Sequence, residues 1–566
     1  MWIGKDDTDM MRKIKNILLL VILLVVFANR TLAEEPRQII VNSEDWRDVY
    51  SVMIYGGLAD KTTNFLVSNK HATLILGGIA PSTHIWAITS KTVPYVAGYK
   101  AILESKGYSA EEFIYDSVNL EFAKKTNTEN FIIVDDSYGY NAISVAPYAV
   151  ISKSYVLFAD RGNINEIVRF FEGRNIKKLI VYGNVDRQVR DALARFNPEI
   201  INKDGDRFLN NIEILKRYQE IKHSKQAILT NGEFIEKEIM SGTEPVVFIG
   251  TNNVPDVVRE YIKSSDIEIG VLIGNELVGT ATFVRRQLGI SVFVKFAQGA
   301  RSPKGAISQV EALDMFYLPT YRLNLELESV RYNRATNQLE VTIRNTEEQA
   351  SYFLGTYTLT GNSGEKQTVG DIGANFIDSK ELKTVVYDTE QITDGDTNVD
   401  AFIIYGESKG SLEKEIRKTV TAQSVRILDE CNIKVNDIFF NKRNQIVYTE
   451  VENTGNVPCF IDMELIDVVV AGEKKTYGLE NIANIDSGRK LELKVKTGMA
   501  KDDIDNNQKI KIRAYYGERE NSLVKVIEGS YELAIKEIDY VFYSLLTVIM
   551  LLVVIIIWKR NKRKVV

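Results

Sequence analysis

Residues 130–150 have the sequence NFIIVDDSYGYNAISVAPYAV. The apolar run that ends at Val134 predicts a buried β-strand, because it is short and rich in β-branched side chains. The polar stretch after it predicts a loop, and the small-residue stretch that follows predicts a helix with Asn141 as its N-cap. The loop has two interpretations, an architectural turn or a ligand-contacting site. The ligand-contacting candidates are Asp135, Asp136, Tyr138 and Asn141.

The same pattern recurs along the chain at intervals of about 90 residues. Phe65, Val156 and Val246 begin equivalent apolar runs, and Ile88, Val181 and Leu272 lie in a second run of each unit. Short β-rich runs that alternate with helical periodicity predict α/β layers with largely parallel strands. SVMIYGGLADKTT in the first unit and AILTNGEFIEKEIM in the third occupy the slot of residues 130–150. Their different polar residues favour the architectural interpretation of the loop.

Three segments of the middle unit, YGYNAISVAPYA, SYVLFA and KKLIVYGNVDRQVRDAL, resemble the type 2 cell-wall-binding repeat family. Asn141 stands where that family commonly has aspartate, and YGN at 182–184 replaces its double-glycine turn. The resemblance extends from Asp45 to about Pro319, roughly half of the chain. It implies three tandem repeats packed around a pseudo-threefold axis. It also implies attachment of a surface protein to an anionic cell-wall polymer.

After Pro319 the pattern changes to period-2 runs such as LEVTIRN at 339–345. Asn333 and Asn441 are equivalent in two similar units, which predict immunoglobulin-like β-sandwiches. VENTGN at 451–456 resembles the CARDB-type adhesion modules. The only two cysteines, Cys431 and Cys459, lie in the second unit. Either a disulfide or two buried thiols is consistent with them.

Apolar segments occur near both ends of the chain. Basic residues, an apolar run and small residues predict a secretory signal peptide over residues 1–33, with an uncleaved anchor as the alternative. The uncharged run at 540–558, followed by a basic tail at 559–566, predicts a transmembrane helix with a cytoplasmic C-terminus. The expected localisation is the cell membrane, as a single-pass type I protein with an extracellular ectodomain.

These patterns together predict an α/β fold class with additional parts. Three tandem strand-helix repeats form a pseudo-threefold head at 34–320. Two all-β immunoglobulin-like sandwiches follow at 321–425 and 426–535, and one C-terminal transmembrane helix completes the chain.

Chemical motifs are scarce in this sequence. There is no nucleophile elbow, phosphate loop or zinc-protease motif, and the three histidines are scattered. We therefore expect no enzyme activity, no cofactor and no metal site. The run DGDTNVD places Asp394, Asp396, Asn398 and Asp400 at alternate positions, as calcium loops do. Its glycine is misplaced for such a loop, so that a solvated turn is the favoured interpretation.

The net charge of the chain is −6, which disfavours nucleic acid as a partner. Residues 277–310 nevertheless contain five basic side chains and no acidic one. Such a stretch suits an anionic polymer, although a solvated helix face is the alternative. Arg187, Arg190 and Arg195 in DRQVRDALAR belong to the corresponding helix of the middle unit, which favours a repeated anion-facing surface. The predicted polymer-binding residues are Arg187, Arg190, Arg285, Arg286, Lys295, Arg301 and Lys304.

The first functional hypothesis is a membrane-anchored surface protein. Its triple repeat would bind an anionic cell-wall or envelope glycopolymer, or a surface-layer protein. A second hypothesis is an extracytoplasmic sensor or enzyme for a small ligand in clefts at the strand ends, where α/β sheets usually place ligands. A purely structural surface-layer component is the third.

Overall fold

The structure is a computed structural model that describes residues 37–296, 299–301, 310–536 and 548–552. It consists of a mixed α/β N-terminal region followed by a large β-rich region. The predicted signal peptide at 1–33 and the basic tail at 559–566 lie outside the described residues.

Three four-stranded parallel sheets form the framework of the α/β region. Their strand orders are β2-β1-β3-β4, β6-β5-β7-β8 and β11-β9-β12-β13, so all three follow one topology. The first sheet contains β1 (Gln38–Asn42), β2 (Thr62–Phe65), β3 (His84–Ser90) and β4 (Ser109–Tyr115). The second contains β5 (Asn130–Val134), β6 (Ser154–Phe158), β7 (Lys178–Tyr182) and β8 (Glu199–Ile201). The third contains β9 (Gln226–Thr230), β11 (Val246–Phe248), β12 (Ile269–Ile273) and β13 (Ser291–Lys295).

Short strand pairs and helices complete the α/β region. β10 (Phe234–Ile235) pairs with β16 (Phe316–Tyr317), and β14 (Gly299–Arg301) pairs with β15 (Val310–Ala312). The α-helices are Trp46–Ala59, His71–Leu74, Tyr99–Ser105, Val118–Lys125, Tyr140–Ile151, Ile164–Glu172, Arg187–Leu193, Arg207–Ile221, Lys237–Met240, Asp256–Ser264 and Ala281–Leu288. The 3-10 helices are Ile75–Gly78, Ala194–Phe196 and Asn275–Thr280.

Buried asparagines join successive units of the α/β region. Asn119 donates to the backbone oxygen of Val156 in β6 (2.9 Å), and its side-chain oxygen accepts from the N–H of Phe158 (3.0 Å). Asn211 makes the same two contacts in the next unit, to Val246 and Phe248 of β11. Each amide thus satisfies polar groups of an edge strand that would otherwise be buried without a partner. One continuous apolar core consequently extends through all three units.

The first unit differs from the sequence prediction. The segment SVMIYGG, predicted to begin with a strand, belongs to the helix Trp46–Ala59. The strand of the first unit that is equivalent to β5 is β1, which precedes this helix. Val49, Val52 and Ile54 of that helix are each 0% exposed, as is Tyr50. A helix that is buried on most sides has no polar face, so its sequence lacks the usual amphipathic period.

The first β-rich module contains eight strands in a continuous hydrogen-bonded arrangement. β24 joins its two halves, because it pairs antiparallel with β23 and then parallel with β17. The strands are β17 (Leu325–Asn333), β18 (Gln338–Asn345), β19 (Ser351–Thr360), β20 (Lys366–Gly370), β21 (Asn375–Ile377), β22 (Leu382–Asp388), β23 (Thr397–Gly406) and β24 (Leu412–Val425).

The second module has two sheets, ordered β30-β26-β25-β33 and β28-β27-β31-β32, with β29 paired to β27. Its strands are β25 (Ile433–Asn441), β26 (Ile446–Asn453), β27 (Cys459–Val470), β28 (Glu473–Gly478), β29 (Ala483–Ile485), β30 (Lys490–Lys496), β31 (Lys509–Gly517), β32 (Lys525–Glu532) and β33 (Ala534–Lys536). A 3-10 helix spans Lys501–Asn507. A disulfide joins Cys431 to Cys459, with 5.4 Å between the Cα atoms, and both residues are buried.

The predicted fold class is wrong in including a C-terminal transmembrane helix at 540–558. Within the four described ranges, no helix is long and apolar enough to cross a membrane. Of the predicted segment, only residues 548–552 are described, and all five are helical. The fold that the structure supports is the α/β region followed by the β-rich region.

Candidate functional site

A cavity of about 370 Å³ lies at the C-terminal ends of β5 and β7 in the middle unit. In this sheet β6, the next strand along the chain, lies on one side of β5, and β7 lies on the other side. The connections after β5 and β7 therefore diverge, and this crevice is where open α/β sheets bind ligands. The loop quoted at the outset, residues 135–141, forms one wall of this strand-end cavity, and residues 184–186 form another.

The two adjacent aspartates of the loop have different contacts. Asp135 lines the strand-end cavity, and its Oδ1 accepts a hydrogen bond from the N–H of Ser137 (2.8 Å). Asp136 forms an ion pair with Arg47 of the first unit, with 2.6 Å between Oδ2 and Nη1. The pair therefore does not form a two-carboxylate catalytic site. Of these two aspartates, only Asp135 lines the cavity.

Glycines determine the shape of both walls. The helix that follows the loop is Tyr140–Ile151 with Gly139 at the N-cap, so the prediction of Asn141 as N-cap is wrong. A Cβ on Gly139 would lie 2.3 Å from Leu318. Gly183 has a φ of +73°, and a Cβ there would lie 2.5 Å from Asn141 Nδ2. The YGN turn thus leaves the space that the Asn141 amide occupies.

The remaining amide and aromatic groups give the cavity its chemical character. Asn141 and Asn184 both line it, and within the described ranges neither side chain has a hydrogen-bond partner. The Tyr138 ring is 42% exposed and packs edge-to-face on the ring of Tyr321, with 5.3 Å between centroids. The Tyr321 hydroxyl is buried without a hydrogen-bond partner in the described part of the chain. These groups combine flat rings with unused donors and acceptors.

Arg207, the first residue of the helix Arg207–Ile221, forms the floor and is only 7% exposed. Its guanidinium pairs with Glu413, and its Nε lies 3.5 Å from Oε1 of Glu407. The ring centroids of Tyr140 and Tyr321 lie 4.1 Å and 5.3 Å from its central carbon, as in cation–π contacts. Nε and Nη1 have no hydrogen-bond acceptor among the described residues.

The first β-rich module closes this side of the cavity. Asp206 caps the helix Arg207–Ile221 by accepting from the N–H of Phe208 (2.9 Å), and its other oxygen accepts from Ser408 (2.5 Å) and Ser411 (2.6 Å). Asn253 donates to the backbone oxygen of Leu412 (2.6 Å). The strand-end cavity is therefore built from the α/β region and the first β-rich module, which contributes Glu407.

The charges around Arg207 are nearly balanced. Burial, together with the nearby carboxylates of Asp206 and Glu413, raises the pKa of Glu407 to about 8. Glu407 is therefore mostly protonated at neutral pH, and Glu413 offsets the charge of Arg207. Asp135 adds a negative charge at the wall. The cavity consequently has no excess of positive charge for an anion.

A pH-dependent stability follows from Glu407. Between about pH 4.5 and pH 8 the folded protein holds a proton that the unfolded chain has released, so stability falls as the pH rises through this interval. We expect Glu407→Gln to flatten this fall, because glutamine mimics the protonated carboxyl. Thermal unfolding at about pH 6 and pH 9 measures the difference. Parallel pH curves for the wild type and the variant would refute the proton assignment, and Glu348→Gln, at an 86% exposed side chain, is the control.

Those of the predicted polymer-binding residues that the structure describes have different surroundings. Arg187 pairs with Asp503 of the second β-rich module (2.6 Å), and Arg190 donates to the backbone oxygen of Ala471. Lys295 pairs with Glu236 (2.5 Å) and with Glu238. Arg285 and Arg286 are exposed on the helix Ala281–Leu288. Arg301 ends β14, and Lys304 lies outside the described residues.

The acidic run at 394–400 is placed partly in a strand. Asn398 and Asp400 belong to β23, where their side chains accept from Thr421 (2.9 Å) and Thr419 (2.6 Å). Asp394 pairs with Arg334 (3.2 Å). Within the described ranges, no group of three or more potential ligand side chains could hold a metal ion.

Comparisons with known proteins add little. No family model matches the chain, and no curated protein does either. One similar solved structure is red sea bream transglutaminase, with 11% identity over 39% of this chain and 32% of that chain and a TM-score of 0.13. A second is the periplasmic chaperone SfaE, with 11% identity over 38% of this chain and 100% of that chain and a TM-score of 0.13. A third is the ligand-binding region of serine-glutamate repeat protein A of Enterococcus faecium, with 9% identity over 19% of this chain and 99% of that chain and a TM-score of 0.14. The chain spans about a third of the transglutaminase. Such low TM-scores carry no argument, and the resemblance to cell-wall-binding repeats stays a prediction.

Proposed function

We propose that this protein is a non-catalytic binding protein for a saccharide, with the strand-end cavity as its binding site. The observation that carries the proposal is the set of unpartnered groups at the crossover of the middle sheet. Asn141 and Asn184 offer amides that both donate and accept, and Asp135 offers an acceptor. Sugar hydroxyls likewise donate and accept, so these groups suit them.

The aromatic lining supports the same ligand class. The Tyr138 ring is 42% exposed and offers an apolar surface beside a polar edge, which matches the C–H face and hydroxyl rim of a sugar ring. Tyr321 supports this ring edge-to-face. The volume of about 370 Å³ lies toward the small end of ligand cavities. Balanced charge around Arg207 favours a neutral unit at this position. The sequence predicts an anionic cell-wall or envelope glycopolymer as the ligand, and a neutral sugar unit within such a polymer would suit this position. The extracytoplasmic location stays a prediction.

A panel of defined monosaccharides tests the proposal. We expect at least one neutral sugar to bind the full-length protein, and we expect Asn141→Ala to weaken that binding about tenfold, since it removes a hydrogen-bonding amide worth roughly 1.5 kcal/mol. Isothermal titration gives both affinities. Asn165→Ala, an exposed asparagine on the helix Ile164–Glu172 of the same unit, is the matched control. Binding that is indifferent to Asn141, or absent for every sugar, would contradict the assignment.

One observation favours a second candidate, hydrolysis of a glycosidic bond. Glu407 retains a proton at neutral pH and lines the same cavity as the Asp135 carboxylate, and acid and base pairs of this kind serve glycosidases. Burial, with the nearby carboxylates of Asp206 and Glu413, already accounts for the raised pKa of Glu407, so binding is the better-supported function. Chain shortening of an oligosaccharide during the titrations would favour hydrolysis instead.

A further inference from the structure

A second cavity, of about 510 Å³, adjoins the strand-end cavity. Five lining residues belong to both cavities, which therefore form one continuous depression. The shared residues are Tyr138, Asn184, Gly205, Tyr321 and Glu407. We call the second cavity the seam groove, because it follows the junction of the three modules.

All three modules contribute walls to the seam groove. Residues 203–206 come from the α/β region, residues 407–410 from the first β-rich module and residues 474–477 from the second. Direct contacts hold these walls together. The N–H of Lys474 donates to Oδ1 of Asp204 (3.2 Å), and Lys409 pairs with Asp467 (2.8 Å). The groove is thus preformed by docking of the modules, as ligand sites usually are.

The lining of the seam groove continues the chemistry of the strand-end cavity. Tyr352 and Tyr477 are partly exposed along it, and the ring of Phe376 supports Tyr352 edge-to-face, with 5.3 Å between centroids. Lys203 and Lys474 are exposed, and among the described residues neither ammonium has a carboxylate within 4.0 Å. Partly exposed aromatic rings and the two unpaired ammonium groups thus line a space that extends beyond the strand-end cavity.

We propose that the strand-end cavity and the seam groove together bind a linear oligosaccharide rather than a single sugar. One unit occupies the strand-end cavity, and the following units lie along the seam against Tyr352 and Tyr477. This inference rests on the proposed function, because it assigns the chain length of the same ligand. The bound chain contacts all three modules and so favours their docked arrangement.

A length series tests the inference. The probes are homologous neutral and uronate oligosaccharides of one to six units, titrated into the full-length protein. For a sugar type that binds as the monosaccharide, we expect affinity to rise about tenfold or more as the chain lengthens. A gain of less than about twofold overturns the inference and leaves the proposed function standing. Failure of every probe, of any length, overturns both.

A substitution that blocks the seam groove distinguishes the two parts of the site. Gln349 is exposed and lines only the seam groove, so Gln349→Trp should fill the groove without removing packed atoms. We expect this variant to bind long chains no more tightly than the monosaccharide, with monosaccharide affinity unchanged. Glu348→Trp, at the neighbouring exposed position outside the lining, is the matched control. Unchanged long-chain binding in Gln349→Trp overturns the inference.

Discussion

Arg207→Met is expected to loosen the docking of the α/β region on the first β-rich module by roughly 3–5 kcal/mol. The guanidinium is 7% exposed, and its removal leaves the Glu413 carboxylate, beside the protonated Glu407, without a compensating charge in a buried site. Arg207→Lys should loosen the docking in the same way, since an ammonium cannot reproduce the contacts of the guanidinium with both Glu413 and Glu407 and its stacking on Tyr140. The strand-end cavity would then lose its floor and one wall.

Hydrogen exchange of the full-length protein measures this loosening at the contact between the α/β region and the first β-rich module, which we call the first seam. The N–H groups of Asn252 and Asn253 donate to the backbone oxygen of Glu413 across it. In Arg207→Met we expect them to exchange about a hundredfold faster or more, as a change of roughly 3 kcal/mol implies. Arg217→Met is the control on the same helix, because the pair of Arg217 with Glu199 is partly exposed and worth at most about 1 kcal/mol. Equal exchange in the two variants would show that the buried pair does not hold the seam.

Lys383→Met is expected to have an effect of similar size at the second seam, between the two β-rich modules. Lys383 of β22 and Glu464 of β27 form an ion pair in which each side chain is 2% exposed. The Lys383 ammonium also lies 3.7 Å from Glu381 and 4.1 Å from the ring centroid of Tyr515. Burial already raises the pKa of Glu464, and loss of the ammonium leaves it without its compensating charge. We expect a loss of roughly 3–5 kcal/mol.

A double-mutant cycle by urea unfolding checks the assignment. Lys383→Met combined with Glu464→Leu should recover part of the loss, because an apolar pair can replace a buried ion pair. The coupling between the two sites should reach about 1 kcal/mol or more. Lys380→Met is the control, since Lys380 is 54% exposed and its partner Glu348 is 86% exposed. Strict additivity of the two single substitutions would contradict a direct pair.

Repeat spacing was the most informative sequence signal for the fold. Phe65, Val156 and Val246 lie in the equivalent strands β2, β6 and β11 of the three sheets. A strand buried between helices has a continuous apolar run, and such runs survive divergence of the loops. The first unit was misassigned at the helix Trp46–Ala59, where burial on most sides removes the polar face that identifies a helix.

The candidate site could be predicted only in part. The loop at 135–141 was identified because it follows an evident strand. Arg207, Tyr321 and Glu407 were missed, since a buried arginine has the same local pattern as a surface one. Its partner Glu413 is 206 residues away along the chain, and only the docking of two modules brings them together. No local pattern contains that information.

The ion pairs of the basic residues could not be predicted from the sequence for the same reason. Arg187 finds its partner, Asp503, 316 residues away, and Lys295 finds Glu236 59 residues away. Counting acids near a basic residue in sequence does not reveal such pairs. Among the predicted residues whose side chains the structure describes, Arg285 and Arg286 are exposed, on the helix Ala281–Leu288.

Mapping a bound saccharide by hydrogen exchange tests the location of the site most directly. The titration panel supplies the tightest-binding chain, and the full-length protein is compared with and without it. We predict slower exchange at residues 135–141 and 183–186, with little change at 281–288. Protection confined to the helix Ala281–Leu288, with none at the ends of β5 and β7, would contradict the assignment of the strand-end cavity as the binding site.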